Sequence, residues 1–320
     1  MSVVEAVRLS KTFEVDRGGR RYEVNAVDDV SLALEPGRTL GVVGESGSGK
    51  STLGRLMTLL LPASSGEVRV DGAGVHDLDA RRRRELRRRF QIVWQNPFSS
   101  MNVRDTIEMI VTEAAIAHGL FGKRERRARA EATLDSVGLP DDLLLKRPSQ
   151  LSGGQLQRVA IGRTLALEPE VVVCDEVTSA LDVSVQAQIL NLLYEVQQRT
   201  NVAYLFISHD LHVVRHISDD VAVMYAGRVV EAGDAQTVYA EPQHPYTREL
   251  VRVARAQHAS ELAMTDVPPA ESAPTVGCCY SPLCSLREPI CLAVRPTLER
   301  APSGAVAACH VTAPPPAPHP

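Results

Sequence analysis

The sequence predicts an α/β fold that carries an inserted helical subdomain and a small cysteine-rich C-terminal extension. Three observations support this fold class. A short apolar run at 39–43 precedes a glycine-rich loop and a helical pattern over 50–61, which is the order of one α/β unit. Residues 97–150 then show helical patterns without a clear strand, and strand patterns return over 170–225. The helical stretch therefore interrupts an α/β core.

The individual elements follow from short periodic runs and from turn residues between them. The expected strands lie at 3–9, 26–34, 39–43, 170–175, 203–208 and 220–225. The main helices of the inserted stretch are expected over 101–118 and 123–137. Beyond residue 234 the pattern changes, and the Pro-, Ala- and Cys-rich segment 259–320 ends in residues expected to be disordered. The predicted boundaries are a core domain at 1–235, a helical subdomain at about 97–152 within it, and an extension at 236–320.

The composition argues against several classes of protein. The 35 basic and 39 acidic residues nearly balance, and aromatic residues make up 4%, so nothing favours a dedicated nucleic-acid binder. The basic run at 81–89 is expected to be the solvated face of a helix. No stretch approaches the ~20 apolar residues of a membrane-spanning helix, and the N-terminus lacks a secretory signal pattern. We therefore expect the chain to fold in the cytosol and to meet a membrane only through a partner.

A glycine-rich loop carries the first chemical signal. Residues 44–52 read GESGSGKST and match G-x-x-x-x-G-K-[ST] between a predicted strand and a predicted helix. Glycines let backbone N–H groups curve around phosphate oxygens, and the helix N-terminus adds a partial positive charge. Lys50 is expected to reach the β- and γ-phosphates, and the Ser51 hydroxyl to ligate Mg²⁺. The residues expected to bind ATP here are Gly44, Ser46, Gly47, Gly49, Lys50, Ser51 and Thr52.

A second motif ends an apolar strand in two carboxylates. Residues 171–176 read VVVCDE, which is typical of the strand that delivers an aspartate to the metal of a phosphate-loop ATPase. Asp175 is expected to hold Mg²⁺ through water. Glu176, one residue further on, is expected to polarise the attacking water as general base.

The pentapeptide LSGGQ at 151–155 identifies the family that this sequence resembles. It is the signature motif of the ABC ATPases, and here it opens a predicted helix, which is a ready anion site. In that family the motif binds the γ-phosphate held by the opposite subunit, so that ATP is sandwiched across a dimer. The resemblance implies an ABC-type core in which this contact is made by Ser152, Gly153, Gly154 and Gln155.

Other elements of the family follow in order. Gln95 matches the Q-loop glutamine, which senses Mg²⁺ and water beside the membrane partner, and His209 matches the switch histidine that contacts the γ-phosphate. The SALD sequence at 179–182 matches the D-loop, whose Asp182 is expected at the dimer interface. Phe13 aligns best with the aromatic residue that stacks on adenine, with Tyr22 as a rival. Val177 departs from the family, which usually has proline after the catalytic glutamate.

Three segments resemble the oligopeptide/dipeptide import branch of the family, at 96–102, 179–190 and 241–247. The resemblance implies a motor subunit at the cytoplasmic face of the membrane. Its expected partners are a second, non-identical ATP-binding subunit, two transmembrane permease subunits and, through the complex, a solute-binding protein. The solute stays open among peptides, nickel complexes and glutathione-like compounds. A soluble non-transport ABC ATPase and an exporter motor are the alternatives.

Five of the six cysteines lie in the last 43 residues, which in a cytosolic chain favours metal ligation over disulfides. Their spacing resembles the four-cysteine extension of some oligopeptide/dipeptide motor subunits, which can hold a [4Fe–4S] cluster. Zn²⁺ and four free thiols remain open, and Cys279 is a spare that could replace Cys278. The expected ligands are Cys278, Cys284, Cys291 and Cys309.

Overall fold

The computed structural model describes residues 3–17, 20–75, 78–179, 181–257, 274 and 276–312. Its strands are β1 (Val4–Arg17), β2 (Arg20–Leu34), β3 (Thr39–Val43), β4 (Ser65–Val70), β5 (Ala73–Gly74), β6 (Phe90–Val93), β7 (Val171–Asp175), β8 (Ala203–Ser208), β9 (Asp220–Tyr225), β10 (Arg228–Asp234), β11 (Glu299–Arg300) and β12 (Val306–Ala307). Its α-helices are α1 (Lys50–Met57), α2 (Ala80–Arg89), α3 (Ile107–Ala117), α4 (Arg126–Ser136), α5 (Gly153–Leu165), α6 (Val183–Thr200), α7 (Leu211–Ile217), α8 (Ala235–Ala240), α9 (Pro245–Gln257) and α10 (Ile290–Ala293). None of the helices in these ranges has the length and apolar character of a membrane span.

The main sheet has the strand order β11-β12-β10-β9-β3-β8-β7-β6. The strands from β9 to β6 are parallel, whereas β10, β12 and β11 pair antiparallel at one edge. Parallel strands covered on both faces are buried along their whole length and mostly apolar, as β7 and β8 are. In β8 the side chains alternate between two cores: Tyr204 and Phe206 belong to one, Leu205 and Ile207 to the other.

A second, antiparallel sheet has the order β2-β1-β4-β5. Its long β1–β2 hairpin extends well past the strands expected at 3–9 and 26–34. The outer half pairs in register, for example Val15 with Tyr22, but its side chains are largely exposed. A solvated ladder has no buried face to impose an apolar alternation, so the sequence pattern did not predict this part.

The inserted stretch is helical, with α3, α4 and α5 between β6 and β7. Both α3 and α4 are shorter than expected. The Thr106 side chain caps α3 by accepting a hydrogen bond from the N–H of Met109 (3.5 Å), so α3 begins at Ile107, six residues after the expected start at 101. The helix expected over 50–61 also ends early, at Met57, because Leu59 adopts a left-handed conformation (φ 58°).

The basic run at 81–89 lies largely on α2, and much of it is used within the chain. Arg84 and Arg88 donate hydrogen bonds to backbone carbonyl groups of α3 and of Leu167. Arg89 forms ion pairs with Asp71 and Glu170. These contacts support the expectation that the run is a helix surface of this chain rather than a nucleic-acid contact.

The C-terminal residues extend the main sheet. The β11–β12 hairpin pairs with β10, where Glu231 lies opposite Ala307 and Ala232 opposite Val306. Glu231 is fully buried, and its carboxylate accepts hydrogen bonds from the backbone N–H groups of Gln243 (2.8 Å) and His244 (2.7 Å). The chain that leads into α9 is thereby fixed to the sheet. The octapeptide at 313–320, expected to be disordered, lies outside the described residues.

We expect Glu231→Ala to destabilise the fold. The buried N–H of His244 and the partly buried N–H of Gln243 would lose their acceptor. An unpaired buried donor costs about 1–3 kcal/mol, so the Tm in a thermal unfolding experiment should fall by several degrees. Glu241→Ala, at an exposed glutamate between α8 and α9, is the control and should leave the Tm unchanged. Equal Tm values for the two variants would contradict this role of Glu231.

Candidate nucleotide-binding and hydrolysis site

Four neighbouring parallel strands end at the same edge of the main sheet. The glycine-rich loop follows β3, Gln95 lies two residues after β6, Asp175 ends β7, and His209 follows β8. Because their carboxyl ends meet at one edge, the sheet brings together motifs that are distant in sequence.

The loop at 44–49, here the phosphate loop, is held tightly against the core at its end. Gly49 has φ 100°, and a Cβ atom there would lie 1.9 Å from the carbonyl oxygen of Ala26 on β2. Only glycine fits such an approach. Ser46 and Gly47, by contrast, form an exposed tip, while Ser51 and Thr52 are half-buried in the first turn of α1. The loop therefore combines a packed base with an open tip.

Lys50 is buried and folds back over the phosphate loop. Its Nζ atom donates hydrogen bonds to the carbonyl oxygens of Gly44 and Glu45, both at 2.7 Å. Burial lowers the pKa of Lys50, while the carboxylates of Glu176 and Asp175 act in the opposite direction. The ammonium group thus lies within the field of both carboxylates.

Ser51 and Asp175 form the oxygen-rich part of the site. The Ser51 hydroxyl donates a hydrogen bond to Oδ1 of Asp175 at 2.7 Å. Burial raises the pKa of Asp175, and the Ser51 hydrogen bond partly offsets that effect. Mg²⁺ usually takes one or two carboxylates together with substrate phosphates and water, so a hydroxyl and a carboxylate beside a phosphate loop fit this ion.

Glu176 sits in a strained position directly after β7. Its φ is 49°, which is unusual for a residue with a long side chain, and its N–H donates to the carbonyl oxygen of Ile207 at 3.0 Å. The side chain lies between Gln95, whose Nε2 donates to Oε2 at 2.6 Å, and His209, whose Nδ1 is 3.5 Å from Oε1. Val177, where the family usually has proline, is buried in the core. The three predicted catalytic side chains are thus in contact.

The signature residues form the N-terminus of α5. The Ser152 hydroxyl accepts from the N–H of Gln155 (3.3 Å), and the Gln155 side chain accepts from the N–H of Ser152 (3.0 Å), which is a capping box. Ser152 and Gly153 are exposed. A Cβ atom at Gly154 would lie 2.7 Å from Cγ1 of Val185 on α6. The motif therefore packs against α6 and presents its exposed side to solvent.

Asp182 is exposed and caps α6. Its Oδ1 accepts hydrogen bonds from the N–H of Val185 (2.9 Å) and from the Ser184 hydroxyl (2.6 Å). Ser179, at the start of the predicted D-loop, donates from its hydroxyl to the carbonyl oxygen of Glu176 at 3.0 Å. Ala180, between them, lies outside the described residues. The predicted D-loop thus connects Glu176 with the N-terminus of α6.

The hairpin register favours Phe13 over Tyr22 as the adenine-stacking residue. Phe13 is partly exposed and pairs with Val24, one residue before the β2 segment at 25–26 that touches Gly49 and Gly227. Tyr22 pairs with Val15, two residues further toward the hairpin tip. Phe13 is therefore the nearer of the two, along the ladder, to the phosphate loop.

The predicted metal ligands in the extension converge only in part. The N–H of Cys278 donates to the carbonyl oxygen of Cys291 at 2.8 Å, and the nearby thiols of Cys309, Cys278 and Cys291 add to the burial that raises the pKa of Cys284. The Cys278 thiol, however, hydrogen-bonds to Cys279, which together with burial raises its pKa to about 12. Within the described residues no three His, Cys, Asp or Glu side chains are grouped to hold a metal ion. The [4Fe–4S] cluster is therefore not supported by this arrangement.

One contact was not predicted from the sequence. Tyr246, in the first turn of α9, accepts a hydrogen bond from the N–H of Glu45 in the phosphate loop at 3.0 Å. Tyr246 lies in the segment EPQHPYT at 241–247, which resembles the import branch, but no motif in that segment indicates a contact with the ATP site.

Known proteins match the chain along nearly its whole length. Residues 27–179 match the ABC transporter family model, and residues 230–291 match the model of the oligopeptide/dipeptide transporter C-terminal region. A probable peptide ABC transporter ATP-binding protein of Sinorhizobium fredii is 43% identical over 325 residues, which cover 99% of this chain and 92% of the relative. This chain belongs to the ABC transporter family. It is an ABC-type ATPase.

Further relatives and solved structures agree. A dipeptide transport ATP-binding protein of Haemophilus influenzae is 41% identical, with 96% of both chains covered, and an oligopeptide transport ATP-binding protein of Bacillus subtilis is 41% identical, with 97% of both covered. A dimeric ATP-binding cassette in a post-hydrolysis state with ADP and Pi superposes with a TM-score of 0.65 at 29% identity, covering 72% of this chain and 98% of that one. A cassette of the cbiONQ complex of Clostridium perfringens gives a TM-score of 0.65 at 27% identity, covering 82% and 99%.

We expect Glu176→Gln to lower ATP turnover by at least about 10²-fold, the low end for loss of a general base. ATP binding should survive, because Lys50 and Ser51 are unchanged; equilibrium binding and steady-state hydrolysis measure the two quantities. Glu168→Gln is a matched control, since Glu168 is an exposed glutamate that also has a positive φ (51°) but lies before β7 rather than after it. More than about a tenth of wild-type turnover in Glu176→Gln would rule out the general-base role.

Proposed function

We propose that this chain is the ATP-hydrolysing subunit of an importer for oligopeptides, dipeptides or a related small solute, peripheral to the cytoplasmic face of the membrane. The observation that carries the proposal is the segment at 230–291. It matches the oligopeptide/dipeptide transporter C-terminal region, and it begins on β10 of the ABC core sheet. The relatives that match nearly the whole chain are named for peptide transport.

The proposed hydrolytic chemistry follows from the contacts in the site. Lys50 and the amides of the phosphate loop bind the β- and γ-phosphates of ATP, and Ser51 and Asp175 would hold Mg²⁺, which neutralises phosphate charge when bound. Glu176 takes the proton of the attacking water. Gln95 orients Glu176 through the 2.6 Å hydrogen bond to Oε2. His209 lies 3.5 Å from the other carboxylate oxygen, Oε1, and contacts the γ-phosphate from there.

The second half of each site is proposed to come from a partner subunit. Ser152 and Gly153 are exposed at the N-terminus of α5, where N–H groups and the helix dipole favour an anion. Asp182, exposed at the N-terminus of α6, would meet the partner's D-loop. A solved cassette of the family is a dimer with ADP and Pi bound. We propose the same sandwich here, with a second, non-identical ATP-binding subunit as partner.

The helical insertion is the proposed contact for the two permease subunits, with a solute-binding protein joining through the complex. We assign the core domain to 1–235, the helical subdomain to about 97–152 and the extension to 236–320. A cavity of about 520 Å³ lies between the core and α3, lined by residues that include Trp94, Asn102 and Arg163. Gln95 follows Trp94 directly, so a helix of a permease in this cavity would act on the residue that holds Glu176.

Uptake of labelled peptides tests the proposed function. In cells that lack this subunit, the wild-type chain should restore uptake of a radiolabelled dipeptide or oligopeptide, and Glu176→Gln should not. Restoration of peptide uptake by both the wild-type chain and Glu176→Gln would contradict the proposal. So would failure of both to restore uptake, provided that both chains are found in the membrane fraction. A metal–chelate substrate in place of the peptide tests the nickel alternative.

Substitution of Gly153 tests the sandwich. A Cβ atom at Gly153 meets only Cδ2 of Leu181, at 3.9 Å, whereas one at Gly154 would already press on Val185, so Gly153 is the cleaner position. We expect Gly153→Trp to reduce hydrolysis to background while the chain alone still binds ATP with wild-type affinity. Tyr194→Trp, exposed on α6 about three turns from its N-terminus, should leave both quantities unchanged. Loss of ATP affinity in the isolated Gly153→Trp chain would show that the motif belongs to its own chain's site.

Whether Cys278, Cys284, Cys291 and Cys309 hold a [4Fe–4S] cluster stays a prediction from the sequence. Iron, sulfide and zinc analysis of protein purified without oxygen distinguishes the alternatives. A brown protein with about four irons per chain would support the cluster, and one zinc per chain would indicate a tetrahedral thiolate site. The absence of both metals would show that the four cysteines are free thiols.

A further inference from the structure

A tyrosine of the C-terminal extension contacts the back of the phosphate loop. Tyr246 lies in the first turn of α9 and is 1% exposed. Its hydroxyl oxygen accepts a hydrogen bond from the backbone N–H of Glu45 at 3.0 Å. Burial raises the pKa of Tyr246, so the phenol stays neutral at physiological pH. The extension therefore makes a direct polar contact with the loop that the ATP-site motif defines.

The position of Tyr246 is fixed from several directions. Glu231 on β10 accepts the N–H groups of Gln243 and His244, and Nδ1 of His244 accepts the N–H of Tyr246 at 3.1 Å. The ring packs against Tyr225, the last residue of β9, with ring centroids 4.7 Å apart. These hydrogen bonds and ring contacts fix the position of the Tyr246 hydroxyl group relative to the sheet.

The cysteine-rich segment closes this aromatic group from the other side. The ring of Tyr280 lies 5.5 Å from that of Tyr246 and meets Tyr225 edge-on at 5.2 Å. The three rings, here the tyrosine cluster, are all buried, with exposures of 8% or less. A hydrogen bond in such surroundings is stronger than one in water, and its loss is more costly.

The same stretch of backbone also binds the side chain of Lys50. The carbonyl oxygens of Gly44 and Glu45 accept from the Lys50 ammonium, while the N–H of Glu45 is held by Tyr246. Tyr246 and Lys50 therefore hold neighbouring atoms of the same short stretch of backbone. A shift of that stretch would move the lysine that is proposed to bind the phosphates.

We propose that Tyr246 is a positioning residue for the phosphate loop, through which the C-terminal extension raises the affinity of the subunit for ATP. Tyr246 does not itself touch the nucleotide. It increases the fraction of chains whose loop is already arranged to bind, and the apparent Kd falls in proportion to that fraction. Once ATP is bound, its own contacts hold the loop, so the chemical step gains little from Tyr246.

Tyr246→Phe in the full-length chain tests the proposal, because it removes the acceptor and keeps the ring. We expect the Kd and KM for ATP to rise about three- to tenfold, the usual worth of one hydrogen bond, while kcat stays within about twofold. Hydrogen exchange of the amides at 44–50 should become faster in the nucleotide-free variant.

The matched control is Tyr204→Phe. Tyr204 is also 1% exposed, and its hydroxyl has no hydrogen-bond partner among the described residues, so the same atom is removed from an equally buried ring without leaving a donor unpaired. Its Kd for ATP should be that of the wild type. Equal Kd values for the two variants, or a lower kcat and Tm in Tyr246→Phe with unchanged Kd, would overturn the proposal.

A measurement on the wild-type chain covers the case in which Tyr246→Phe does not fold. The amide proton of Glu45 should be protected from exchange without nucleotide. Exchange at the rate of an unstructured amide would show that the bond does not persist, and the proposal would fall. Because the readouts of these experiments are amide exchange and ATP affinity, their results are independent of which solute the transporter carries.

Discussion

Parallel pairing of β6, β7, β8 and β3 is the constraint on which the candidate site depends. In register, Val43 lies beside Ser208, and Val93 beside Cys174, so the strands end almost level. The residues that follow each end then meet, although long stretches of chain separate them. A slip of one residue would turn every side chain of a strand to the opposite face. The two apolar cores prevent such a slip, and the geometry at Glu176 is thus a consequence of core packing.

Local sequence predicted those parts of the site that short motifs define. The strands at 203–208 and 220–225 have the predicted limits, Asp175 ends a strand as expected, and the phosphate loop and Glu176 each follow a strand as expected. The contact of Glu176 with Gln95 and His209 needs the strand order as well, which the spacing of the motifs does not contain. The left-handed backbone conformation at Glu176 could not be predicted from the sequence either, because neither Glu176 nor its neighbours are glycine or proline.

Contacts between distant segments account for what the sequence did not predict. The strands β11 and β12 have two residues each, and with β10 they form the antiparallel edge of the sheet, where pairing rather than an apolar pattern defines the short strands. Glu231 is an acidic residue inside a core, and its role is set by backbone N–H groups of a later segment. The cysteines illustrate the same limit: their spacing predicts a ligand set, but spacing does not determine where a thiol such as that of Cys278 points.

The phosphate loop is approached differently from its two sides, and this asymmetry suits an ATPase that works as a sandwich. Behind the loop, β2 contacts Gly49 and the tyrosine cluster contacts Glu45, both through fixed elements of the same chain. The tip of the loop, at Ser46 and Gly47, is exposed. A partner can add phosphate contacts only where the loop is exposed. Those contacts support hydrolysis only if the loop keeps its conformation when they form. In the proposed sandwich, the extension would support the loop through Tyr246, while the partner would bind at the exposed tip.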